Sequence, residues 1–335
     1  MANTSSDINS TQTRASSLYT LLVFLSFLLV MIVVVLSAYL RLAGSGLGCD
    51  AWPSCYALIT SQAGGTEALA AAHLVPAWAT LTHRLTASTL GLLVVGIATL
   101  AWRQRKQAGQ SLLLPFAVLG LTIFLAVLGY KTPSPLQPWV ALSNLLGGMT
   151  MLAMLWWLGQ RAVASAASKE QTYALRPWAI AGICLIFFQI TLGGWVSANF
   201  AALACTGLAG CGGFPWLHGP WHESLNLFRT LPVTDGGVVI SGDVGKVVHL
   251  LHRLGALLTF LYIAWLGWRA YRLGEPYRST AMAILFFLLL QILLGMSAVA
   301  FSLPLIVVTA HNAVAALILL ATVNLAHLLT PRNRS

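Results

Sequence analysis

Long hydrophobic stretches alternate with short polar segments along the whole chain of 335 residues. Each stretch approaches the roughly 20 residues that a helix needs to cross a hydrocarbon layer of about 30 Å. The eight stretches are residues 18–40, 78–101, 111–130, 138–158, 177–198, 247–268, 280–301 and 305–329. Lipid offers no hydrogen-bond partner to the backbone, and the strands of membrane barrels are about half as long. The pattern therefore predicts an all-α membrane protein with eight transmembrane helices.

Composition supports the same class. Hydrophobic residues make up 58% of the chain and charged residues only 8%, and the mean hydropathy is +0.81. Soluble domains carry roughly 25% charged residues, so this chain cannot cover a water-facing surface. The polar tail before the first span holds one cation, Arg14. That tail is typical of an uncleaved anchor rather than a signal or transit peptide, which favours a bacterial inner membrane.

The distribution of cations predicts the orientation. Lys and Arg are retained on the cytoplasmic side of membrane proteins. Twelve of the eighteen fall in the N-terminal tail, the even-numbered loops and the C-terminus: Arg14, Arg103, Arg105, Lys106, Arg161, Lys169, Arg176, Arg269, Arg272, Arg278, Arg332 and Arg334. Both termini are therefore expected to be cytoplasmic. Because these loops account for most of the net charge of +10, no nucleic-acid partner is needed to explain it.

The acidic residues argue against an ion-coupled transporter. None lies within a predicted span, whereas such transporters usually need an intramembrane carboxylate. Asp50, Glu67, Glu223, Asp235 and Asp243 all fall in the first and fifth loops, which the topology places outside.

Those two outer loops also carry paired cysteines. Cys49 and Cys55 lie in the first loop and Cys205 and Cys211 in the fifth, both pairs spaced C-x5-C. Paired thiols on the oxidising face predict one disulfide in each loop. A zinc site built from all four is the alternative. We interpret Cys184, within the fifth span, as a small buried hydrophobe.

The second half of the chain repeats the first. Segment 36–49 aligns without a gap with segment 192–205, and the pair His83-Arg84 recurs as His252-Arg253. Each half has four spans, so the halves share one orientation and are parallel repeats. This predicts two pseudo-symmetric four-helix bundles. The expected boundaries are a tail at 1–17, an N-terminal bundle at 18–158, a linker at 159–176, a C-terminal bundle at 177–329 and a tail at 330–335.

Histidines near the ends of the predicted spans are the candidate functional residues of the repeat. Asn144 on the fourth span corresponds to His311 on the eighth: the interval is 61 residues from His83 to Asn144 and 59 from His252 to His311. Ionisable groups inside a membrane are costly and usually functional. A lone histidine that merely bridges two helices is the ordinary alternative, but recurrence of the pair argues against it.

Two imidazoles that face each other across a bundle suit the axial ligands of a heme iron. Heme needs an apolar slot, strong nitrogen donors and cations near its propionates. His252 and His311 could supply the donors, and Arg84 and Arg253 the cations, although arginines snorkelling to the interface would look the same. Copper or zinc would be poorly closed by two ligands without carboxylate or thiol support.

At these residues the whole chain resembles the heme A synthase family. The motifs are segment 41–55 with Cys49 and Cys55, His83-Arg84, Gly193-Gly-Trp-Val-Ser197 leading to Cys205, His249-Leu-Leu-His252-Arg253, and Val307-Val-Thr-Ala-His311. Members of this family oxidise the C8 methyl of heme O to the formyl group of heme A for terminal oxidases. The resemblance implies a resident heme b in the C-terminal bundle, with His252 and His311 on its iron, and substrate heme O in the N-terminal bundle on His83. His249, three residues before His252, is expected to face a propionate.

The N-terminal half departs from the family pattern. That pattern has Glu-x-x-His-Arg on the second span, where this chain has Thr80, and a histidine where this chain has Asn144. Three accounts follow. His83 alone binds the substrate iron, with Thr80 and Asn144 beside it as catalytic residues; an outer-loop carboxylate, Glu67 or Glu223, closes over the site; or the protein is a non-catalytic heme-binding assembly factor or heme carrier.

The resemblance also implies partners. These are a heme O synthase, terminal oxidase subunits and an electron donor that the sequence does not identify, besides membrane lipid. The outer-loop disulfides would brace the loops over the heme openings, because neither pair has the C-x-x-C spacing of a redox motif.

Overall fold

The computed structural model describes residues 3–44, 75–106, 111–131, 137–163, 174–205, 211, 218–235 and 237–330. In these ranges eight long helices follow one another: α1 (Asn3–Gly44), α2 (Ala77–Arg103), α3 (Leu113–Lys131), α4 (Pro138–Ala162), α5 (Arg176–Ala198), α6 (Gly242–Tyr271), α7 (Tyr277–Ala300) and α8 (Leu305–Leu328). All eight are long and apolar enough to cross a membrane. The prediction of an all-α, multi-pass membrane protein is confirmed, since the described ranges hold only one isolated β-bridge, between Val233 and Val239.

Two helices begin earlier than the hydrophobic pattern indicates. The backbone of α1 is already helical in the polar tail, and α6 starts at Gly242, five residues before its predicted span. The first turns of α6 are polar: Asp243 lies near the positive end of the helix dipole and accepts a hydrogen bond of 2.9 Å from Lys246. Hydropathy cannot detect such a turn.

Neighbouring helices pack in the same order in both halves. In the first half the packed pairs are α1–α2, α2–α3, α3–α4 and α4–α1; in the second they are α5–α6, α6–α7, α7–α8 and α8–α5. The halves meet where α4 packs on α5 and α8, and where α1 packs on α8. Each set of four helices thus encloses an interior.

The largest buried cluster extends through both halves. Leu152 and Leu155 of α4 are fully buried in it, together with Ile263 of α6 and Leu319 of α8. The outer surface is apolar as well: Leu92 is 74% exposed and Phe286 61% exposed. A soluble protein would rarely show so extended an apolar surface, whereas lipid requires one.

The segment between α5 and α6 folds against the outer ends of the second half. It contains a short helix, Trp221–Ser224, and the indole Nε1 of Trp195 on α5 donates a hydrogen bond of 2.8 Å to the carbonyl of Ser224. A disulfide joins Cys205 to Cys211. The loop that follows α5 is therefore tied both to a helix and to itself.

Candidate functional site: a histidine-lined cavity in the second half

A cavity of about 610 Å³ lies between the helices of the second half. Ligand pockets usually measure about 300–1,000 Å³ and are mostly apolar with a few placed polar groups. Leucine, isoleucine, alanine and glycine side chains dominate these walls, and His252 and His311 also line the cavity. The two histidines belong to α6 and α8, which alternate with α5 and α7 around the interior. The prediction that they share one site is therefore supported by their positions.

His252 is held by α5. The amide nitrogen of Gln189 lies 2.9 Å from Nδ1 of the imidazole and donates a second hydrogen bond of 3.0 Å to the backbone carbonyl of His252. One turn along α5, Gly193 packs against the ring: a Cβ at that position would lie 3.0 Å from Cε1. Only a glycine allows so close a contact without movement of the imidazole.

His311 is held in a similar way by α7. The amide nitrogen of Gln291 lies 3.1 Å from Nε2 of the imidazole. A Cβ on Gly295 would lie 3.1 Å from Cε1 of the same ring. Nδ1 of His311 is buried without a hydrogen-bond partner among the described residues.

Polar groups gather at one end of the cavity. His249 is only 4% exposed, and its Nδ1 lies 3.1 Å from the carbonyl of Ala201. Arg253 Nη2 donates a hydrogen bond of 2.6 Å to the carbonyl of Cys205, next to the disulfide. Both side chains also line the cavity. A guanidinium and an imidazole thus both border the cavity.

Residues of the first half complete the walls. Arg41 and Leu42 at the end of α1 line the cavity, and so do Leu145 and Met149 of α4. The Nε and Nη1 atoms of Arg41 are buried. The predicted first span ended at residue 40 and so left Arg41 outside it. Arg41 belongs instead to the last turn of α1, and its guanidinium lies against the second half.

The predicted first-half residues lie outside this cavity. His83 on α2 is partly buried, and its Nε2 lies 2.7 Å from the Oγ of Ser37 on α1. Thr80, three residues earlier on the same helical face, is partly buried. Arg84 and Asn144 are exposed. No hydrogen bond joins His83 to Asn144 within the described part of the chain.

The outer-loop predictions have separate outcomes. Glu223 lies 3.7 Å from the guanidinium of Arg229. Burial lowers the pKa of that arginine and the carboxylate opposes the shift. Glu67, Cys49 and Cys55 lie outside the described residues. The disulfide predicted between Cys205 and Cys211 is present, and it leaves neither thiol free for the alternative zinc site.

The interpretation of Cys184 was wrong. Its side chain is exposed on α5 rather than buried. The reason is that apolar character does not distinguish a core position from one facing lipid, since a thiol is tolerated equally in both.

Four residues of the site were not predicted: Gln189, Gln291, Gly295 and Ser37. A repeat could have revealed the first three, because Gln189-Ile-Thr-Leu-Gly193 and Gln291-Ile-Leu-Leu-Gly295 differ at one position. No comparable pattern marks Ser37.

Fold and site together define a multi-pass helical membrane protein with a histidine-lined cavity enclosed by its second half. Residues 20–323 match the model of the family COX15-CtaA, described as cytochrome oxidase assembly protein, and the chain belongs to that family. A protein of Shewanella oneidensis named heme A synthase is 32% identical over 333 residues, which cover 94% of this chain and 98% of that protein. A heme A synthase of Alkalihalophilus pseudofirmus is 29% identical over 202 residues, covering 57% of this chain and 64% of that protein.

Proposed function

We propose that this protein is a heme A synthase, an enzyme that oxidises the C8 methyl of heme O to a formyl group and so supplies heme A to terminal oxidases. The observation that carries the proposal is the pair of histidines, His252 and His311, on alternating helices around one apolar cavity. The names of the two relatives support the reaction, and the family description supports its use in oxidase assembly.

The residues of the cavity fit a heme b. Two imidazoles from different helices would hold its iron. Buried polar atoms that lack hydrogen bonds among the described residues surround them, namely Oε1 of Gln189, Oε1 of Gln291 and Nδ1 of His311. Such atoms are costly unless a partner arrives. Gly193 and Gly295 leave the ring faces the space that a Cβ would fill.

We further propose that the chain forms two pseudo-symmetric four-helix bundles in a bacterial inner membrane, with both termini cytoplasmic. The equal packing order of the two halves and the cation distribution support this arrangement. The histidines would then lie toward the outer face, since His83, His252 and His311 all fall in the first half of helices that would start outside.

In the second half, the chain's own residues would bind and orient the cofactor. His252 and His311 hold the iron, Arg253 and His249 face the propionates, and the leucine-rich walls exclude water. Heme b bound in this way supplies one-electron transfer to and from the substrate half.

In the first half, His83 would hold the iron of heme O and Arg84 would pair with a propionate. Two successive hydroxylations of the methyl would give a hydrate, which loses water to leave the formyl group. Each hydroxylation would use one molecule of dioxygen as oxidant, with two electrons from the external donor and two protons, and would release one water. Thr80 and Asn144 would orient water at this half by hydrogen bonds, in place of the family's carboxylate and second histidine. The electron donor, a heme O synthase and the oxidase subunits are the partners that such a reaction requires.

A second function is favoured by one observation. Oγ of Ser37 is already hydrogen-bonded to Nε2 of His83, the nitrogen that would bind the substrate iron. Asn144 cannot replace the second imidazole of the family pattern. A non-catalytic heme-binding assembly factor or heme carrier would keep the cofactor site of the second half but would have no working substrate site in the first half.

The test is to express the chain in cells that make heme O but lack their own synthase, and to extract the hemes. Heme A or its hydroxymethyl intermediate supports the enzyme, whereas heme O alone overturns it in favour of a carrier. The same purified protein should show a low-spin b-type spectrum that His252→Ala or His311→Ala abolishes. A variant that kept this spectrum would contradict the assignment of the axial ligands.

A further inference from the structure

The repeated segments Gln189–Gly193 of α5 and Gln291–Gly295 of α7 are not explained by iron binding alone. In each, a glutamine contacts an axial histidine and the glycine four residues later contacts the same ring. Residues four apart lie on one face of a helix, so each segment presents its two contacts together. The pattern recurs on two helices that flank the same cavity, which a chance packing contact would not produce.

We propose that Gln189 and Gln291 are positioning residues with opposite effects on heme binding. Gln189 contacts Nδ1 of His252, the nitrogen that does not bind the iron, so it orients one ligand and accepts the Nδ1 proton of that ligand once the carboxamide turns. Gln291 is bonded to Nε2 of His311, the nitrogen that the iron needs, so it competes with the cofactor and releases the second ligand as heme enters. This inference rests on the proposed heme b site.

Gln189 makes two contacts with His252. Its amide nitrogen bonds both the ring and the backbone carbonyl of that residue, so the carboxamide lies directly beside Nδ1. Gly255 leaves room for it, because a Cβ there would lie 2.4 Å from Oε1 of Gln189. No hydrogen bond of the described residues involves Nε2 of His252.

A carboxamide is also suited to the change of tautomer that iron binding imposes. An amide nitrogen only donates, so Nδ1 of His252 accepts and the ring proton sits on Nε2. An imidazole bound to iron through Nε2 keeps its proton on Nδ1 and needs an acceptor there. Oε1 of Gln189, which has no hydrogen bond among the described residues, becomes that acceptor when the carboxamide rotates.

Gln291 is attached more weakly. It makes one contact with the ring, at Nε2 of His311, and Oε1 of Gln291 and Nδ1 of His311 both lack a partner among the described residues. Withdrawing Gln291 breaks this single contact and frees Nε2 of His311. The two glutamines thus contact different nitrogens: Nδ1 of His252 on α6 and Nε2 of His311 on α8.

The first half lacks this pair of a glutamine and a glycine four residues later. In the ungapped alignment of the repeat, Ser37 stands where Gly193 stands, and Val33 where Gln189 stands. If the glutamines served helix packing in general, both halves would be expected to keep them. Their restriction to the second half fits a role in holding a resident cofactor rather than a substrate that must leave.

The test compares Gln189→Leu and Gln291→Leu in the purified full-length protein, stripped of heme and titrated with heme b. Removing an outer partner of a metal-bound histidine typically costs 10- to 100-fold in affinity, so Gln189→Leu should bind heme b about 10-fold or more weakly. Gln291→Leu should bind about two- to tenfold more tightly, because one net hydrogen bond no longer has to be broken. Gln160→Leu on α4, which makes the same exchange outside the cavity lining, is the control and should match the wild type.

The midpoint potential of bound heme b is a second readout. If Gln189 only stabilised the fold, its substitution would not shift this potential in opposite directions for leucine and glutamate. A hydrogen bond from the ring increases the basicity of the ligand and stabilises the oxidised iron. Gln189→Leu should therefore raise the potential and Gln189→Glu should lower it. Equal loss of affinity in Gln189→Leu and Gln291→Leu, or a lowered potential in Gln189→Leu, would overturn the inference while leaving the heme site intact. A wild-type protein that binds no heme b would overturn the proposed function, and this inference with it.

Discussion

A hydrogen bond joins Ser37 to His83, the first-half counterpart of His252. At 2.7 Å between Oγ and Nε2 it is a short contact in a membrane-embedded setting, where water competes little. Binding of a substrate iron through Nε2 has to break it. A typical hydrogen bond contributes about 0.5–1.5 kcal/mol net, so under the proposed function we expect this serine to lower the affinity for heme O.

We expect Ser37→Ala to bind heme O about two- to tenfold more tightly, because Nε2 of His83 is then free. The measurement is a Soret titration with heme O in a His252→Ala/His311→Ala background, which leaves only the first-half site. Ser26→Ala is the matched control, since Ser26 lies on the same helix and is fully buried. Weaker binding in Ser37→Ala would show instead that the serine orients the imidazole for the iron.

Sequence reasoning located the cavity's histidines but not the residues that contact them. His252 and His311 were predicted from a repeat and a topology, and both line the cavity. Gln189 and Gln291 were missed because their role depends on which residue the neighbouring helix places opposite them, and a glutamine in an apolar span has many possible partners. The low exposure of His249 and its bond to Ala201 likewise depend on how the loop after α5 folds back.

Helix α5 connects two neighbours through consecutive glycines. Successive residues on a helix point about 100° apart, so Gly193 meets His252 on α6 while Gly194 meets Leu142 and Leu145 on α4. One helix therefore sets both the ring position in the cavity and the distance between the halves. The disulfide segment continues directly from its end.

We expect the double variant Cys205→Ser/Cys211→Ser to lower stability by about 2 kcal/mol, the amount that closing so short a loop contributes. The loss should reach the cavity as well, because the carbonyl of Cys205 accepts the hydrogen bond from Arg253. Thermal unfolding in detergent and the heme b spectrum are the two measurements. Cys184→Ser is the control for the exchange of sulfur for oxygen, since Cys184 is free and exposed, and an equal loss there would contradict the role of the disulfide.

Among whole elements, the hydrophobic pattern predicted every long helix to within a few residues. The exceptions were the starts of α1 and α6, where polar residues form helical turns that hydropathy does not register. Loop structure was predicted only where covalent chemistry limits it, as at Cys205 and Cys211. The remaining loop contacts depend on tertiary packing that has no periodicity in the sequence.

The whole molecule is joined by close contact between α4 and α5. A Cβ on Gly194 would lie 2.6 Å from Cδ2 of Leu145 and 2.9 Å from Cδ1 of Leu142. Small residues at such contacts let membrane helices approach and pack, because lipid gives no hydrophobic drive for their association. This glycine therefore determines how closely the halves can meet.

We expect Gly194→Ala to destabilise the protein by about 1–3 kcal/mol, as overpacking typically does. A lower midpoint of thermal unfolding would measure the effect, and Leu145→Ala in the same chain should recover part of it by removing the clashing atom. Gly120→Ala on α3, where a Cβ would meet nothing within 4 Å, should be neutral or slightly stabilising. An unchanged midpoint in Gly194→Ala would mean that the halves adjust without cost.

The walls supplied by Arg41, Leu42, Leu145 and Met149 have a consequence for the duplicated plan. A polypeptide comprising only the second half would contain both His252 and His311 yet have a cavity open along one side to lipid. A molecule bound there would exchange with the bilayer, and the buried face of α5 would be exposed. If the repeat arose by duplication, the ancestral unit could have closed this pocket only by pairing with a second copy of itself, and the present chain makes that association intramolecular.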